Sequence, residues 1–381
     1  MKILLFDMDG VLLESGGYHR AFQRTVALIG CLLGYQEVEL TTQDIDAFEA
    51  AGVFSEWDSS AMCAALLLEN LWTEHPTLTL PPTPITPALP PHDHPAPDFQ
   101  AFAHTLTQTH MSQLRPLKRA EQLLLDNSRS PSSLNPTQKR TIQGILRNAR
   151  HIEGSLTHRI FQELVLGSQV FAETYDLPPA LDTESYLLQY DQPTLSDSER
   201  TRLLEWLQRS DQRGVIVTSR PSRSVGGHLG TPEAEIGSQA AGLEQLPILG
   251  LGGLTWLSAR RNRDPEFSLK PSPVHALAAL RLAIDDALEA ALQAAAALVL
   301  DGRADPAWQA LVGAEVYVFE DGVAGLDSAR AAQDILEQIG VPMRVRLFGI
   351  AENSPKRQSL EVVGATVFAT LAAALERVPR F

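Results

Sequence analysis

The sequence contains few cysteines and few aromatic residues. Two of its 381 residues are cysteines, and 6% are Phe, Trp or Tyr. With so few cysteines, disulfides cannot be what holds the fold together. Cys31 and Cys63 each lie within an apolar pattern of helical spacing, so we expect buried thiols rather than a disulfide or a metal site.

The sequence also lacks an apolar run long enough to cross a membrane. Residues 290–300 are strongly apolar, but they include Gln293 and end before Asp301, whereas a membrane-spanning helix needs about 20 apolar residues. Residues 1–6 are too short for the apolar region of a signal peptide. We therefore expect a cytoplasmic protein with no membrane partner.

Positive charge is the third scarce feature. The chain has 31 Lys and Arg residues against 46 Asp and Glu residues, which gives a net charge of −15. A chain with this charge is repelled by nucleic acids, so no nucleic-acid partner is expected. Any pocket for an anion must then provide its own local positive charge. The sequence does not indicate an oligomeric state.

What the sequence does contain is enough apolar material for two domains. Hydrophobic residues make up 44% of the chain and charged residues 20%, which is typical of globular proteins. Single cores stop growing at about 250 to 300 residues, so a chain of 381 residues is predicted to divide.

The chain divides by pattern into an α/β part and a helical part. Residues 16–195 show helical spacing and are predicted to form one helical insertion; residues 1–15 and 196–381 form the other domain. Within the insertion, residues 75–97 carry nine prolines and are predicted to be an extended surface excursion, since proline interrupts helices and central strands. The helices predicted in the insertion are 16–34, 43–51, 57–72, 98–112, 136–149 and 155–174.

Strands alternate with helices in the second part of the chain. This alternation predicts a doubly wound parallel sheet, an α/β fold with helices on both faces. A ligand site in such a sheet lies at the carboxyl ends of the strands. The elements predicted here are helix 196–210, strand 215–217, helix 273–295, strand 316–319, helix 325–339, strand 344–350, and a short strand and helix after residue 365.

The most informative motif is a pair of carboxylates at the end of the first apolar run. Residues 3–6 are apolar and are followed by Asp7, Met8, Asp9 and Gly10, which predicts a buried strand that carries two acids to a sheet edge. The two acids would point in opposite directions on a regular strand, and Gly10 lets the chain leave the pleat. Such acids can hold a divalent cation while one attacks and the other moves protons. The alternative is a simple Asp-Gly turn.

Three further clusters follow strands or open a helix. The strand 215–217 ends in Thr218 and Ser219, whose hydroxyls can donate to a phosphate oxygen, although such residues also end strands for turn reasons. Lys270, one of five lysines, precedes a predicted helix, where both its charge and the helix terminus favour an anion. Glu320–Asp321 ends a third strand and offers oxygen ligands to a hard cation.

With these four clusters in this order, the chain resembles the haloacid dehalogenase-like (HAD) superfamily, on the branch of phosphoglycolate phosphatases and β-phosphoglucomutases. The resemblance rests on DMDGVL with Glu14–Ser15 and Tyr18–His19, on Thr218, on Lys270 in KPSP, and on the run 320–325. It covers about half of the chain. It implies a Rossmann-like core with a helical cap inserted after the first motif. It also implies a small phosphorylated metabolite as partner.

The resemblance implies a role for each motif. Asp7 would be the nucleophile that forms an aspartyl phosphate, and Asp9 would protonate the leaving oxygen and then activate water. Thr218, Ser219 and Lys270 would hold the oxygens of the transferring group. The implied cofactor is Mg²⁺, held by Asp7, Asp9 through its carbonyl, Asp321, and Glu320 directly or through water.

Substrate choice would lie with the cap. His19 near the expected hinge, Arg20, Trp57 and Arg220 are candidate substrate-binding residues. A different interpretation of the loop at 48–58 makes Phe54 and Trp57 core residues, with Glu56 and Asp58 as caps of the next helix.

Two other segments are assigned no role. Residues 298–301 look like a strand that ends in an acid, and they compete with Glu320–Asp321 for the metal role. Residues 250–253 are glycine-rich but lack the spacing of a dinucleotide-binding loop, so a turn is predicted.

The leading hypothesis is a Mg²⁺-dependent phosphatase, that is, a phosphoric monoester hydrolase. The alternatives are a phosphomutase of the β-phosphoglucomutase type, which would use the same two acids, and a binding module without turnover.

Overall fold

The computed structural model describes residues 1–80, 89–108, 114–126, 134–285 and 287–381. They form two compact units. Residues 1–15 and 190–381 form the first, which we call the α/β unit, and residues 16–189 form the second, which we call the helical unit. The chain was predicted to return to the α/β part at residue 196. It returns earlier, at residue 190, because residues 192–193 pair with residues 13–14 in a short antiparallel sheet.

Among the described residues, all strands lie in the α/β unit. In chain order they are β1 (Lys2–Phe6), β2 (Leu13–Glu14), β3 (Gln192–Pro193), β4 (Gln212–Val217), β5 (Ile248–Leu249), β6 (Glu315–Glu320), β7 (Arg344–Ile350) and β8 (Thr366–Phe368).

The helices continue through both units. The helical unit contains α1 (Gly17–Leu32), α2 (Thr42–Ala50), α3 (Glu56–Glu74), α4 (Phe99–Gln108), α5 (Pro116–Leu125), α6 (Pro136–Arg147), α7 (Leu156–Leu166), α8 (Ser168–Tyr175) and most of α9 (Tyr186–Tyr190). The α/β unit contains α10 (Asp197–Leu207), α11 (Glu233–Ala240), α12 (Leu251–Arg261), α13 (Pro273–Asp285), α14 (Leu288–Asp301), α15 (Val323–Gln338), α16 (Ser354–Val362) and α17 (Leu371–Leu375), with short 3₁₀ helices at Pro265–Phe267 and Pro306–Leu311.

Six strands form a parallel sheet in the order β5-β4-β1-β6-β7-β8. The central strand is β1, in which Phe6 lies opposite Ile216 on β4 and Phe319 on β6. The order of the strands reverses direction next to β1, and this is the point at which doubly wound sheets bind ligands. The predicted α/β fold class is confirmed.

Alternate residues of β1 enter the cores on opposite faces of the sheet. Ile3 and Leu5 pack with α12, α13, α14 and α15, whereas Leu4 and Phe6 pack with α10, α11 and α17. All four side chains are buried, and burial of such a side chain contributes about 1.5 to 3 kcal/mol. This two-sided burial explains why β1 is a continuous apolar run, and it fixes the position at which Asp7 emerges.

Two predicted helices are broken in the structure. The helix predicted at 155–174 divides into α7 and α8 at Gly167, which has a φ of 82°. A Cβ atom there would lie 2.8 Å from the backbone nitrogen of Ser185. The helix predicted at 273–295 divides into α13 and α14, and the second of these runs on to Asp301.

Other segments differ from the secondary structure or the burial that their local sequence pattern predicts. Residues 298–301 end α14 instead of forming a strand, and the turn predicted at 250–253 is the start of α12. Cys63 is buried as expected, but Cys31 on α1 is exposed. Among the described residues, no helix is both long enough and apolar enough to cross a membrane.

The proline-rich segment is described in part. Residues 81–88 lie outside the described residues, as do residues 109–113 at the end of the helix predicted at 98–112. The described flanks, 75–80 and 89–97, contain no helix, as proline content predicts. His92 packs edge-on against Tyr35, with ring centroids 4.6 Å apart.

Candidate active site

A tight turn after β1 places Asp7 and Asp9 at the sheet edge. The amide of Asp7 donates to the carbonyl of Phe319 at 2.9 Å, and the amides of Leu12 and Leu13 both donate to the carbonyl of Met8 at 2.9 Å. Gly10 has a φ of +73°, and a Cβ atom at this position would overlap the carboxylate of Asp321. Glycine is therefore required here both for the turn and for the close approach of an acid.

Asp7 shares one ammonium group with Glu320. Lys270 Nζ lies 2.7 Å from Asp7 Oδ1 and 3.0 Å from Glu320 Oε2. It also donates to the carbonyl of Val217 at 3.2 Å. The loop that carries Lys270 is held by Ser272, whose hydroxyl donates to the carbonyl of Phe267 at 2.6 Å. Residues from four separate segments thus meet at this point.

The electrostatics of this group favour binding of additional positive charge. Burial raises the pKa of Asp7 to about 6, although Lys270 acts in the opposite direction. Burial and then the charge of Asp7 raise the pKa of Glu320 to about 8. The pKa of Lys270 is raised because Asp7 and Glu320 outweigh the cost of its burial. Lys270 alone does not neutralise the two buried acids, and the adjacent Asp321 has an ion pair of its own with Lys356.

Three carboxylates of this group are placed to share a cation. One ligand oxygen from each of Asp7, Glu320 and Asp321 lies within 4.8 Å of the others, the only such group of three acids, histidines or cysteines among the described residues. The absence of a Cβ atom at Gly10 and Gly325 leaves room for the carboxylates of Asp321 and Glu320. Carboxylate oxygens are the ligands that Mg²⁺ prefers, so the donor set fits that ion.

Thr218 and Ser219 follow β4 on the other side of β1. Thr218 is buried, and its amide donates to the carbonyl of Leu249 at 2.9 Å. Its hydroxyl oxygen accepts from the amide of Arg220 at 3.0 Å, which leaves the hydroxyl hydrogen to donate elsewhere. Ser219 is exposed. Both predicted positions lie at the carboxyl edge of the sheet.

Asp9 has a different environment from Asp7. Arg220 Nε lies 2.9 Å from both oxygens of Asp9, and Arg220 NH1 lies 2.8 Å from Asp191 Oδ2. The hydroxyl of Ser15 also donates to Asp9. Burial would raise the pKa of Asp9, but the charge and hydrogen bonds of Arg220 outweigh it and the pKa is lowered.

Two residues of the site were not predicted. Lys356, near the start of α16, forms an ion pair with Asp321. It is one of five lysines and follows the apolar strand β7, which was an available signal. Asp191 is buried beside Arg220. No local pattern marks it, because it lies in a segment that was interpreted as the end of the helical insertion.

The other predicted residues lie in the helical unit. His19 Nε2 is 3.5 Å from Glu49 Oε1, Arg20 donates to Gln23 at 3.4 Å, and Trp57 donates to Gln162 at 3.0 Å.

The interpretation of Phe54 as a core residue is wrong. It is 78% exposed, since Gly52, with a φ of +76°, turns the chain before it. Glu56 and Asp58 lie in the first turn of α3, but the N-cap is Ser55, so the prediction that these two acids cap the helix is wrong.

The comparison with solved structures bears on the fold. A target of the Northeast Structural Genomics Consortium, ZR25, whose X-ray structure is known, matches 99% of this chain and 98% of its own, with a TM-score of 0.56 and 18% identity. The two chains share one fold.

Two further matches are more distant. Phosphatase Tt82 from Thermococcus thioreducens has a TM-score of 0.40 at 14% identity, over 94% of this chain and 99% of its own. A hydrolase from Pseudomonas syringae has a TM-score of 0.33 at 14% identity, over 99% and 97%. No protein-family model and no curated protein matches the sequence.

Proposed function

We propose that this protein is a Mg²⁺-dependent phosphatase of the HAD superfamily that hydrolyses a small phosphorylated metabolite. A phosphoglycolate or a sugar phosphate is the type of substrate that the sequence resemblance implies. The observation that carries the proposal is the meeting of Asp7, Glu320 and Asp321 at the switch point of the sheet, where Lys270 pairs with the first two. This arrangement combines a nucleophile, a cation site and a fixed positive charge for a phosphate.

Asp7 is the proposed nucleophile. Its carboxylate oxygen attacks phosphorus, the bond to the leaving oxygen breaks, and an aspartyl phosphate forms. Lys270 holds an oxygen of the transferring group, as do the Thr218 hydroxyl and the Ser219 amide. Asp7, Glu320, Asp321 and the Asp9 carbonyl would hold Mg²⁺, and the ion would screen the charge between the carboxylate and the phosphate.

Asp9 is the proposed acid and base. It gives a proton to the leaving oxygen in the first step and takes a proton from water in the second. The second step breaks the bond between phosphorus and Asp7 and releases inorganic phosphate. We further propose that His19, Arg20 and Trp57 of the helical unit select the substrate.

The experiment is phosphate release from a panel of phosphorylated metabolites and an aryl phosphate, with Mg²⁺ and with chelator. We expect Mg²⁺-dependent release in the native chain and a loss of at least about 10³-fold in Asp7→Asn. Asp301→Asn is the matched control, because Asp301 lies at the end of α14 and pairs with Arg261 and Arg303. It should retain full activity.

Other outcomes point to other functions. Release that does not depend on Mg²⁺ or on Asp7 contradicts the proposal. An isomerised sugar phosphate without net release would indicate a mutase, and ligand binding without turnover would indicate a binding module.

A further inference from the structure

Arg220 was expected to bind an anionic group of the substrate, but its guanidinium is held between two carboxylates. The side chain is 3% exposed. Nε is within 2.9 Å of both oxygens of Asp9, NH1 is 2.8 Å from Asp191 Oδ2, and NH2 donates to the hydroxyl of Ser15 at 3.2 Å. All three of these groups thus come from outside β4.

The position of Arg220 is fixed by the backbone as well. Its amide donates to the hydroxyl of Thr218 at 3.0 Å, and its carbonyl accepts from the amide of Leu251 at 2.9 Å. Gly237 on α11 leaves space for the guanidinium, because a Cβ atom there would lie 2.9 Å from Arg220 NH1. Because these contacts fix the buried guanidinium, it cannot move together with a mobile partner. The carboxylate of Asp9 must therefore take the orientation that the guanidinium sets.

Besides Arg220, the hydroxyl of Ser15 donates to Asp9. The side chain of Asp9 is 41% exposed and follows the apolar core residue Met8 into the turn at Gly10. An exposed carboxylate samples several rotamers, whereas a general base must lie within hydrogen-bond distance of the proton that it takes. A paired contact to a planar guanidinium fixes the plane of a carboxylate.

We propose that Arg220, anchored by Asp191, positions Asp9 as the general base that hydrolyses the phosphoenzyme. This inference rests on the proposed function. In this step a water oxygen bonds to phosphorus, the bond from phosphorus to the Asp7 oxygen breaks, and the water proton passes to Asp9. Arg220 and Asp191 are positioning residues, since neither is assigned a contact with the reacting atoms.

The test uses 2,4-dinitrophenyl phosphate, whose leaving group departs without a proton, so that Asp9 is needed only in the second step. In Asp191→Asn and Arg220→Lys of the full chain with Mg²⁺, we expect kcat to fall about 10- to 100-fold. We expect kcat/KM, which reports the first step, to change by no more than about threefold. A rapid burst of dinitrophenol of about one per protein should then precede the slow steady state. Asp191→Glu keeps the charge and should recover part of the lost kcat.

A parallel fall of kcat and kcat/KM, or no change in either, in variants that melt at the temperature of the native protein would overturn this role. Two variants are used so that one that fails to fold does not end the test. Failure of the proposed function is seen separately. In that case the native chain itself releases no dinitrophenol, or releases as much in Asp7→Asn.

Discussion

The two units treat buried charge in different ways. In the described part of the helical unit the buried acids are paired: Arg150 Nε lies 2.9 Å from Asp58 Oδ1, and Glu163 accepts from the amides of Ala180 and Leu181 at 2.9 Å and 2.6 Å. In the α/β unit, Asp7 and Glu320 compete for one ammonium group, and their pKa values are raised.

This difference separates structural charges from charges that are available for chemistry. Removing one partner of a buried charge pair is costly, and a charge that is fully paired has no capacity left for a ligand. Acids that outnumber their cations oppose folding until a cation binds. Natural active sites commonly have this cost in stability. The contrast therefore supports the α/β unit as the location of the chemistry.

The largest effect on stability should come from breaking a compensated pair in the helical unit. Arg150→Met leaves Asp58, whose side chain is 8% exposed, buried without its cation. We expect the free energy of unfolding to fall by about 3 kcal/mol, measured by denaturant titration. Arg261→Met is the control, because its partner Asp301 is partly exposed, and it should cost less than about 1 kcal/mol. Equal losses of unfolding free energy in Arg150→Met and Arg261→Met would contradict the contrast between the two units.

A smaller effect on stability, of opposite sign, should come from removing the charge of an acid in the site, Glu320. Between pH 4.5 and about 8, Glu320 binds more protons in the folded chain than in the unfolded chain, because its folded pKa is raised. The stability of the metal-free protein should therefore fall as pH rises through this window. Glu320→Gln should remove part of this slope and raise stability at pH 8 by about 1 kcal/mol.

The matched control for Glu320→Gln is the same substitution in the helical unit. Glu163 is fully buried, with 0% exposure, but it accepts hydrogen bonds from backbone amides. Glu163→Gln places an amide donor against those donors, so it should lower stability by about 1 to 3 kcal/mol. Thermal melts in chelator at pH 6 and pH 8 measure both changes in stability, the gain expected for Glu320→Gln and the loss expected for Glu163→Gln. A loss in both variants would show that Glu320 is a structural acid.

The parts of the site that the sequence predicts lie directly at strand ends. Asp7, Thr218 and Glu320 each follow a buried apolar run, and parallel strands bring their carboxyl ends to one edge. The core strands β1, β4 and β6 were predicted for the same reason, since two-sided burial makes them largely continuous apolar segments.

The parts that it does not predict depend on tertiary contacts. Strands β3 and β5 have two residues each, which is too short for a periodic pattern. Asp191 becomes part of the site only because β3 pairs with β2. The start of α12 was missed because its glycines favour a turn locally, whereas Gly252 is packed against the backbone of Ser222 and Arg223.

The central claim is that Asp7 carries the phosphoryl group, and trapping the phosphoenzyme tests it most directly. In Asp9→Asn, dinitrophenyl [³²P]phosphate should still phosphorylate the enzyme, while hydrolysis slows by about 10² to 10⁴-fold for lack of a base. Acid quenching followed by peptide mapping should then find about one phosphoryl group per chain, on Asp7, and none in the Asp7→Asn/Asp9→Asn double variant. Label on another residue, or none in an Asp9→Asn protein that still releases dinitrophenol, would contradict the account.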